Sequence, residues 1–559
     1  MEMKQTTEKT EAPVDLTHDF PVQAPEYFNF GYDIIDAWAV RDRNKLAMIW
    51  ANQKGEEKRY TFHDLSKLSN QAANLLIKHG ITPGDRVMLM LPRLPEWWIF
   101  SLALIKLGAV QCPSPTLLTP QDIQHRIRYG KFKMVITDAE NAHKFDEIYD
   151  DCPTLSARLL VDGDRPNWIS YRSEISGPNS TLSRHEVKSS VKIRTRSDAP
   201  FLLMFTSGTS KYPKMVQHYG SYALGHRITA ELWHGLTPND LHMTISDTGW
   251  GKNLWGNYFG QWIIGACVLI FDFRGKFHAD ELLPVIEKYE VTSFCAPPTV
   301  YRMLTLNDLT RFDFSELKHC TTAGEPMQTE TIRIWKESTG LTIREAYGQT
   351  ETVCMIGNFR GCKVKPGSMG KPAPGWQIEI HDEDGKPLPA GEDGRIAVKL
   401  DPAPVGLFEK YLYNEPENKA CFQNGFYYTG DRAYVDEDGY FWFVGRVDDI
   451  IKSSGYRIGP SEVEEVMSHH PSVYEVAVVG APDPLRGMRV KAYVVLKPEF
   501  EATESLVREL QNYVKQETAP YKYPREIEFI KQMPKTFSGK IKRDILRRHA
   551  ETGENNWEH

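Results

Sequence analysis

The chain has 559 residues, 41% apolar and 25% charged. At ~150 residues per domain, that suits a folded globular protein of several compact units rather than a disordered chain. Lys and Arg total 67 against 74 Asp and Glu, a formal net charge of −7, so no global positive field draws in nucleic acid. The eight cysteines (Cys112, Cys152, Cys267, Cys295, Cys320, Cys354, Cys362, Cys421) form no Cys-x-x-Cys pair, which argues against a zinc site or a disulfide framework.

Residues 1–25 read as a loose polar arm, and Met1–Asp15 lacks the apolar centre of a signal peptide. From Tyr60, Leu65, Leu68, Ala72, Leu75 and Leu76 recur at helical spacing, and Gly80 ends the run. Arg86–Leu91 then predicts a strand, Pro95–Leu107 a helix and Lys133–Thr137 a strand. The alternation resumes with strands at Phe201–Phe205, Ala266–Ile270 and Val291–Phe294, the pattern of sheets covered by helices. The longest apolar stretch, Trp262–Phe273, is shorter than the ~20 residues a spanning helix needs. These features predict a soluble, cytoplasmic protein without a membrane span.

From about Gly361 the pairs Asp384-Gly385, Asp393-Gly394 and Asp438-Gly439 separate short strands, which predicts a small β-rich unit. Beyond Arg446 the pattern is α+β. Strands are expected near Val473–Val479, Val490–Leu496 and Ile527–Ile530, a helix near Glu504–Val514, and a basic tail over Lys531–Arg548. The expected fold is α/β. A large region of mixed and parallel sheets flanked by helices spans 26–447 and includes the β-rich unit, and a smaller α+β domain spans 448–559.

Four strings carry chemistry. The first runs Thr206, Ser207, Gly208, Thr209, Ser210, Lys211, Tyr212, Pro213, Lys214. Small hydroxyl residues and a glycine let N–H and O–H groups close around phosphate oxygens, although a polar surface turn reads similarly. It is not a Walker loop. In the second, Glu345-Ala346-Tyr347-Gly348-Gln349-Thr350-Glu351, Tyr347 offers a flat face for a base. Thr350 can bond a phosphate, and Glu351 is a hard oxygen ligand suited to Mg²⁺; a capped helix start is the alternative. The third combines Asp431, Gly445-Arg446 and Ser454-Gly455-Tyr456-Arg457, groups suited to ribose hydroxyls and phosphate or equally to β-turns. The fourth ends in Lys540, either a reactive-site cation or a solvated lysine.

In this order the strings resemble the adenylate-forming superfamily: acyl- and aryl-CoA synthetases, peptide-synthetase adenylation domains and luciferases. Medium-chain acyl-CoA synthetases are the nearest group. Ser246–Trp250, Ala296–Arg302, Ala323–Glu325, Ser454–Ser461 and Thr518–Arg525 support the resemblance, which runs from Tyr60 to Arg547. It implies an enzyme that joins a carboxylic acid to CoA at the expense of ATP, through an acyl-adenylate, with AMP and pyrophosphate released. It also implies that Lys540 lies between the carboxylate and the α-phosphate, beside Thr350. Glu351 and Thr209 would hold Mg²⁺, and the 206–214 loop the β- and γ-phosphates. Gly324, Glu325, Pro326, Glu345, Ala346, Tyr347, Gly348 and Gln349 would line the ATP site, with Asp431 on the ribose and Arg446 beside it.

By the same resemblance Asp448 is a hinge about which a mobile C-terminal domain swings. Ser454, Gly455 and Tyr456 would then wall the CoA channel, and Arg126, Arg457, Arg486, Lys515 and Tyr523 would bind the CoA nucleotide. Trp250, Gly324 and Gly348 would line the acyl site. Acetyl-CoA synthetases carry tryptophan at the position of Gly348, so a tunnel deeper than two carbons is expected, for short-to-medium acids, branched and cyclic ones included. Lys211 departs from the usual glycine of the phosphate loop, and Lys252 has no assigned role. Two other readings stay open: an adenylating enzyme that loads a carrier protein, and a nucleotide-binding regulator without turnover. An oligomer is compatible with the sequence.

Overall fold

The computed structural model of the protein describes residues 22–176, 194–206, 213–275, 277–453, 456–536 and 540–553, with the backbone alone at Ser176 and Arg457. The fold is mixed α/β, with sheets flanked by helices and a smaller C-terminal unit. One sheet has nine strands and a second has eight. In the first, Leu46–Asn52 runs parallel to Cys267–Asp272, with Met48 opposite Val268. In the second, Arg86–Met90 lies parallel between Val110–Pro113 and Met134–Thr137.

The helices between these sheets follow from local chemistry. Phe62–Lys78 starts at a capping box in which the Thr61 hydroxyl accepts from the Asp64 N–H and the Asp64 carboxylate accepts from the Thr61 N–H. Pro95–Leu107 begins with proline at its first turn and ends at Gly108, which takes the left-handed conformation. That helix is apolar all round, and Trp97, Trp98, Phe100 and Leu104 are fully buried, as a helix enclosed by two layers requires. The predicted strands and helices of this region are all present, within a residue or two at their ends. The apolar stretch Trp262–Phe273 is divided. Helix Phe259–Ile263 stops, Gly265 turns at φ +79°, and strand Cys267–Asp272 follows. Among the described residues no helix is long and apolar enough to cross a membrane. All eight cysteines are free.

The β-rich unit is a five-stranded sheet that includes Ile378–His381, Gly394–Lys399, Phe426–Val435 and Phe441–Arg446. A turn of 3-10 helix, Val447–Asp449, leads from it to a separate five-stranded sheet that starts at Ile451. Here Val473–Asp483 and Gly487–Leu496 form a long hairpin, and Glu526–Phe529 adds to it in parallel. The basic tail is not a solvated run. Arg543–Thr552 is a helix with Leu546 fully buried, its Arg543 bonded to Glu464 at 2.6 Å and its Arg547 to Asp449 at 2.6 Å. Burial of one apolar stripe, with arginines matched to carboxylates, outweighs the tail's polar composition.

Candidate active site

Strand Ile343–Tyr347 lies in the nine-stranded sheet, and Tyr347 at its end meets the β-rich unit. There the Tyr347 hydroxyl donates to Asp431 Oδ2 at 2.6 Å, and Gln349 Nε2 donates to the same oxygen at 2.7 Å. Tyr427 donates to Gln349 Oε1 at 2.9 Å, which fixes the amide. Arg446 stands opposite Asp431 across the pairing of their strands, with Nε 3.8 Å from Oδ1. Burial pushes the Asp431 carboxyl up, and Arg446 opposes this most strongly. Tyr347, Gln349, Asp431 and Arg446 thus converge as the sequence predicts.

Glu351 is buried, and the Tyr411 hydroxyl donates to its Oε1 at 2.8 Å. Burial raises its carboxyl, against Tyr411, Lys214 and Arg446. A single carboxylate with a hard oxygen donor set fits Mg²⁺, which takes one or two carboxylates and fills the rest of its shell with phosphate oxygens and water. Among the described residues no cluster of three or more His, Cys, Asp or Glu side chains offers an all-protein metal cage.

Lys540 is exposed overall, yet protein groups desolvate its ammonium. Desolvation lowers its pKa, Glu325 opposes that most, and Arg446, Asp431 and Glu351 also act on it. Gly324 takes φ +105°, and a Cβ there would stand 3.7 Å from Lys540 Cε, so the lysine stem lies over this glycine. Glu325 is raised by desolvation, with Arg302 and Lys540 opposing. Glu345 faces inward. Its Oε1 accepts from the Met327 N–H at 3.1 Å and its Oε2 from the Gly367 N–H at 2.8 Å, so it braces the 324–327 loop. Burial pushes it up to about 8.

Three groups of these residues have protein partners. Lys214 is turned to the Glu417 carboxylate, so its charge is shared with a protein partner. Gly348 sits in close packing. A Cβ there would lie 2.4 Å from Trp255 Cη2 and 2.4 Å from the Val353 carbonyl oxygen, so the indole of Trp255 already fills that space. Trp255 belongs to helix Gly251–Gly256, which Trp250 caps at its N-terminus. Lys252 of the same helix donates to the Ala323 carbonyl at 2.6 Å, next to Gly324. The CoA set is divided. Lys515 sits over the Tyr523 ring at 4.1 Å, Arg486 pairs with Asp483 at 3.5 Å, and Tyr456 stacks on Tyr521 at 4.2 Å in the C-terminal unit. Arg126 lies in the large region, over Phe205 at 4.8 Å, and lines a 580 Å³ cavity with His125 and Pro213.

Ser207, Gly208, Thr209, Ser210, Lys211 and Tyr212 lie outside the described residues, and so do Ser454, Gly455 and the Arg457 side chain. Thr206 and Pro213 flank the first of these segments, and Thr206 pairs with Lys214. Asp448 sits in the connecting 3-10 turn, where its carbonyl accepts from Arg547 Nη1 at 2.8 Å.

Sequence reasoning missed two braces. His218 Nε2 lies 2.7 Å from the Thr350 carbonyl, and a carbonyl only accepts, so this nitrogen carries the proton. Tyr411 holds Glu351 from a strand paired with the one that carries His218. Proximity of Gln217-His218 to the phosphate loop was the available signal; the bond itself spans 132 residues of chain.

Family models for the AMP-binding enzyme and the AMP-binding enzyme C-terminal domain match residues 35–412 and 462–540. The human acyl-coenzyme A synthetase ACSM3, mitochondrial, is 44% identical over 544 residues, covering 95% of this chain and 91% of that protein. The Rattus norvegicus acyl-coenzyme A synthetase ACSM5, mitochondrial, is 45% identical over 536 residues, covering 94% and 91%. Among solved structures, the anthranilate CoA ligase AuaEII in complex with anthranoyl-AMP superposes with a TM-score of 0.85 at 30% identity, covering 94% of this chain and 98% of that one. A Brucella canis acyl-CoA synthetase gives 0.72 at 31% identity, covering 95% of each chain. Both named relatives are mitochondrial enzymes, and this overturns the expectation of a cytoplasmic protein.

Proposed function

The chain belongs to the AMP-binding enzyme family and is an AMP-forming acid–CoA ligase, and on that premise we propose that it activates compact short-to-medium carboxylic acids, branched and cyclic ones included. ATP, CoA and a small carboxylic acid are its substrates. One observation carries the mechanistic reading: the Lys540 stem of the C-terminal unit lies over Gly324 of the large region, where the charges of Glu325, Asp431, Arg446 and Glu351 act on its ammonium.

In the first half-reaction a carboxylate oxygen attacks the α-phosphorus, the bond to the β-phosphate oxygen breaks, and pyrophosphate leaves. Two anions must meet, so the Lys540 ammonium is placed where charge accumulates. Its ammonium donates hydrogen bonds to both reactants. Tyr347 lines the adenine face, Asp431 accepts from the ribose hydroxyls, and Arg446 holds the nucleotide beside it. Glu351, braced by Tyr411, would hold Mg²⁺, which supplies charge neutralisation on the phosphates when bound.

In the second half-reaction the CoA thiolate attacks the acyl carbon, the C–O bond to the adenylate phosphate breaks, and AMP leaves. For this step the unit beyond Asp448 swings and carries Tyr456 to the channel, toward the large region's Arg126. Trp255 against Gly348 supports width over length in the acyl site. The relative complexed with anthranoyl-AMP acts on a ring acid, which agrees with such a shape.

The test is CoA-dependent AMP release across straight, branched and cyclic acids, with Lys540→Gln in parallel. Lys540→Gln is expected to lose carboxylate-dependent pyrophosphate exchange and to keep thioester formation from supplied adenylate. Full exchange in that variant, or AMP release without CoA consumption, would refute the reading.

A further inference from the structure

A buried carboxylate in the C-terminal unit joins the Lys540 loop to the large region. Glu475 lies on strand Val473–Asp483 where the hairpin register shifts, and its side chain is only 6% exposed. Its Oε1 forms ion pairs with two cations that belong to different parts of the molecule. Arg302 Nη1, from helix Pro298–Leu304 of the large region, is 3.3 Å away. Lys535 Nζ, from the segment that leads to Lys540, is 2.8 Å away.

That segment is closed on itself. Lys535 bridges to Ile541, the Thr536 N–H donates to the Lys540 carbonyl at 2.7 Å, and the Lys540 N–H donates to Thr536 Oγ1 at 3.1 Å. Whatever fixes Lys535 therefore fixes the backbone of Lys540. On its other side Arg302 faces Glu325, the wall of the cleft, and is the strongest cation acting on that carboxyl. Charges thus alternate from cleft to loop: Glu325, Arg302, Glu475, Lys535.

We propose that Glu475 is a positioning residue for acyl-adenylate formation, clasping Arg302 of the large region to the Lys535 side of the Lys540 loop. The proposal rests on the reading of Lys540 given above. The chemistry of the clasp is electrostatic. A buried ion pair need not add net stability, but removal of one partner leaves an uncompensated charge. Without the carboxylate, Arg302 and Lys535 face each other as like charges and the loop moves off. Without Arg302, Lys535 still satisfies Glu475, so the C-terminal unit keeps its fold and only the tie between the two parts is lost.

The test compares Glu475→Gln, Arg302→Met, Arg302→Lys and Lys540→Ala in the full chain, with the two half-reactions assayed separately and melting followed in parallel. Expected for Glu475→Gln and Arg302→Met is a fall of about tenfold or more in kcat of pyrophosphate exchange, with KM for ATP little changed. Thioester formation from supplied adenylate should stay within about twofold, and the double variant should be no worse than the poorer single, as for two residues on one tie. Arg302→Lys keeps the charge and should recover most of the loss. Normal exchange in both single variants, or an equal fall in both half-reactions, overturns the clasp. Normal exchange in Lys540→Ala overturns the reading of Lys540 instead.

Discussion

On the acyl-site reading proposed above, Gly348 and Trp255 are separated by very little space. A Cβ at position 348 would stand 2.4 Å from both Trp255 Cη2 and the Val353 carbonyl oxygen, which leaves no room for a larger residue unless the indole and the backbone both move. Gly348→Trp is therefore expected to overpack the site, at a cost of about 1–3 kcal/mol in stability, rather than simply to select acetate. Melting of the purified variant checks this. Trp255→Leu makes the opposite change and should move the optimum to longer acids. Each further buried CH₂ contributes ~0.8 kcal/mol, roughly fourfold in kcat/KM. A chain-length series from acetate to decanoate reads the shift, and an unaltered optimum would remove Trp255 from the acyl wall. Glu345 is the other residue with a measurable signature. Its folded carboxyl stands at about 8 against an ordinary 4.5, so the folded state holds the proton more tightly than the unfolded state. Its contribution to stability is complete below 4.5 and drains away as pH rises toward about 8. Melting temperatures across that window should fall less steeply in Glu345→Gln, which has no proton to lose.

Elements whose causes are local were legible in the sequence, and those held by distant partners were not. Helix Phe62–Lys78 announces itself through Leu65, Ala72, Leu75 and Leu76 on one face and through Thr61 with Asp64 at its start. Asp431 and Arg446 were legible as a pair because their motifs sit on neighbouring strands of one hairpin. The bond from His218 to the Thr350 carbonyl crosses 132 residues, and Tyr411 to Glu351 crosses 60, so neither leaves a periodic trace. The ring of Trp255 reaches Gly348 only after helix Gly251–Gly256 and strand Ile343–Tyr347 have packed. The C-terminal helix was obscured by its own composition, because arginine and lysine dominate Lys531–Arg548 and its apolar stripe is short. Leu546 carries that stripe into the cluster of Ala477, Val479, Tyr493 and Met533. Leu546→Ala should cost about 2–5 kcal/mol. Since Lys540 immediately precedes this helix, the variant should also lose adenylation before thioester formation. Separate half-reaction assays distinguish this from a uniform loss.

Across the whole molecule, apolar burial is divided unevenly. One cluster of buried side chains runs continuously from Phe28 to Phe441 and joins both large sheets with the β-rich unit. The C-terminal unit has its own clusters, centred on Ile451, Val478 and Leu510 and on Tyr493 and Leu546. Contacts across the boundary include polar ones, Thr329 Oγ1 to Glu465 at 2.7 Å and Arg302 to Glu475 at 3.3 Å, beside the close approach of Val444 to Gly459. Polar contacts of this kind suit parts that separate and rejoin, because water replaces such partners at little cost. The two parts should therefore melt as two transitions in calorimetry, since each buries its own core. On the proposed reading, a non-hydrolysable acyl-adenylate analogue touches Asp431 on one side and Lys540 on the other, so it should bind only when both are folded and together. By mass action it should raise both transitions and draw them into one, by about 2.7 kcal/mol at a hundredfold excess over Kd. In Lys540→Gln the analogue loses its hold on the smaller part. The larger transition should then rise alone, and a single merged transition in that variant would place the coupling elsewhere than the lysine.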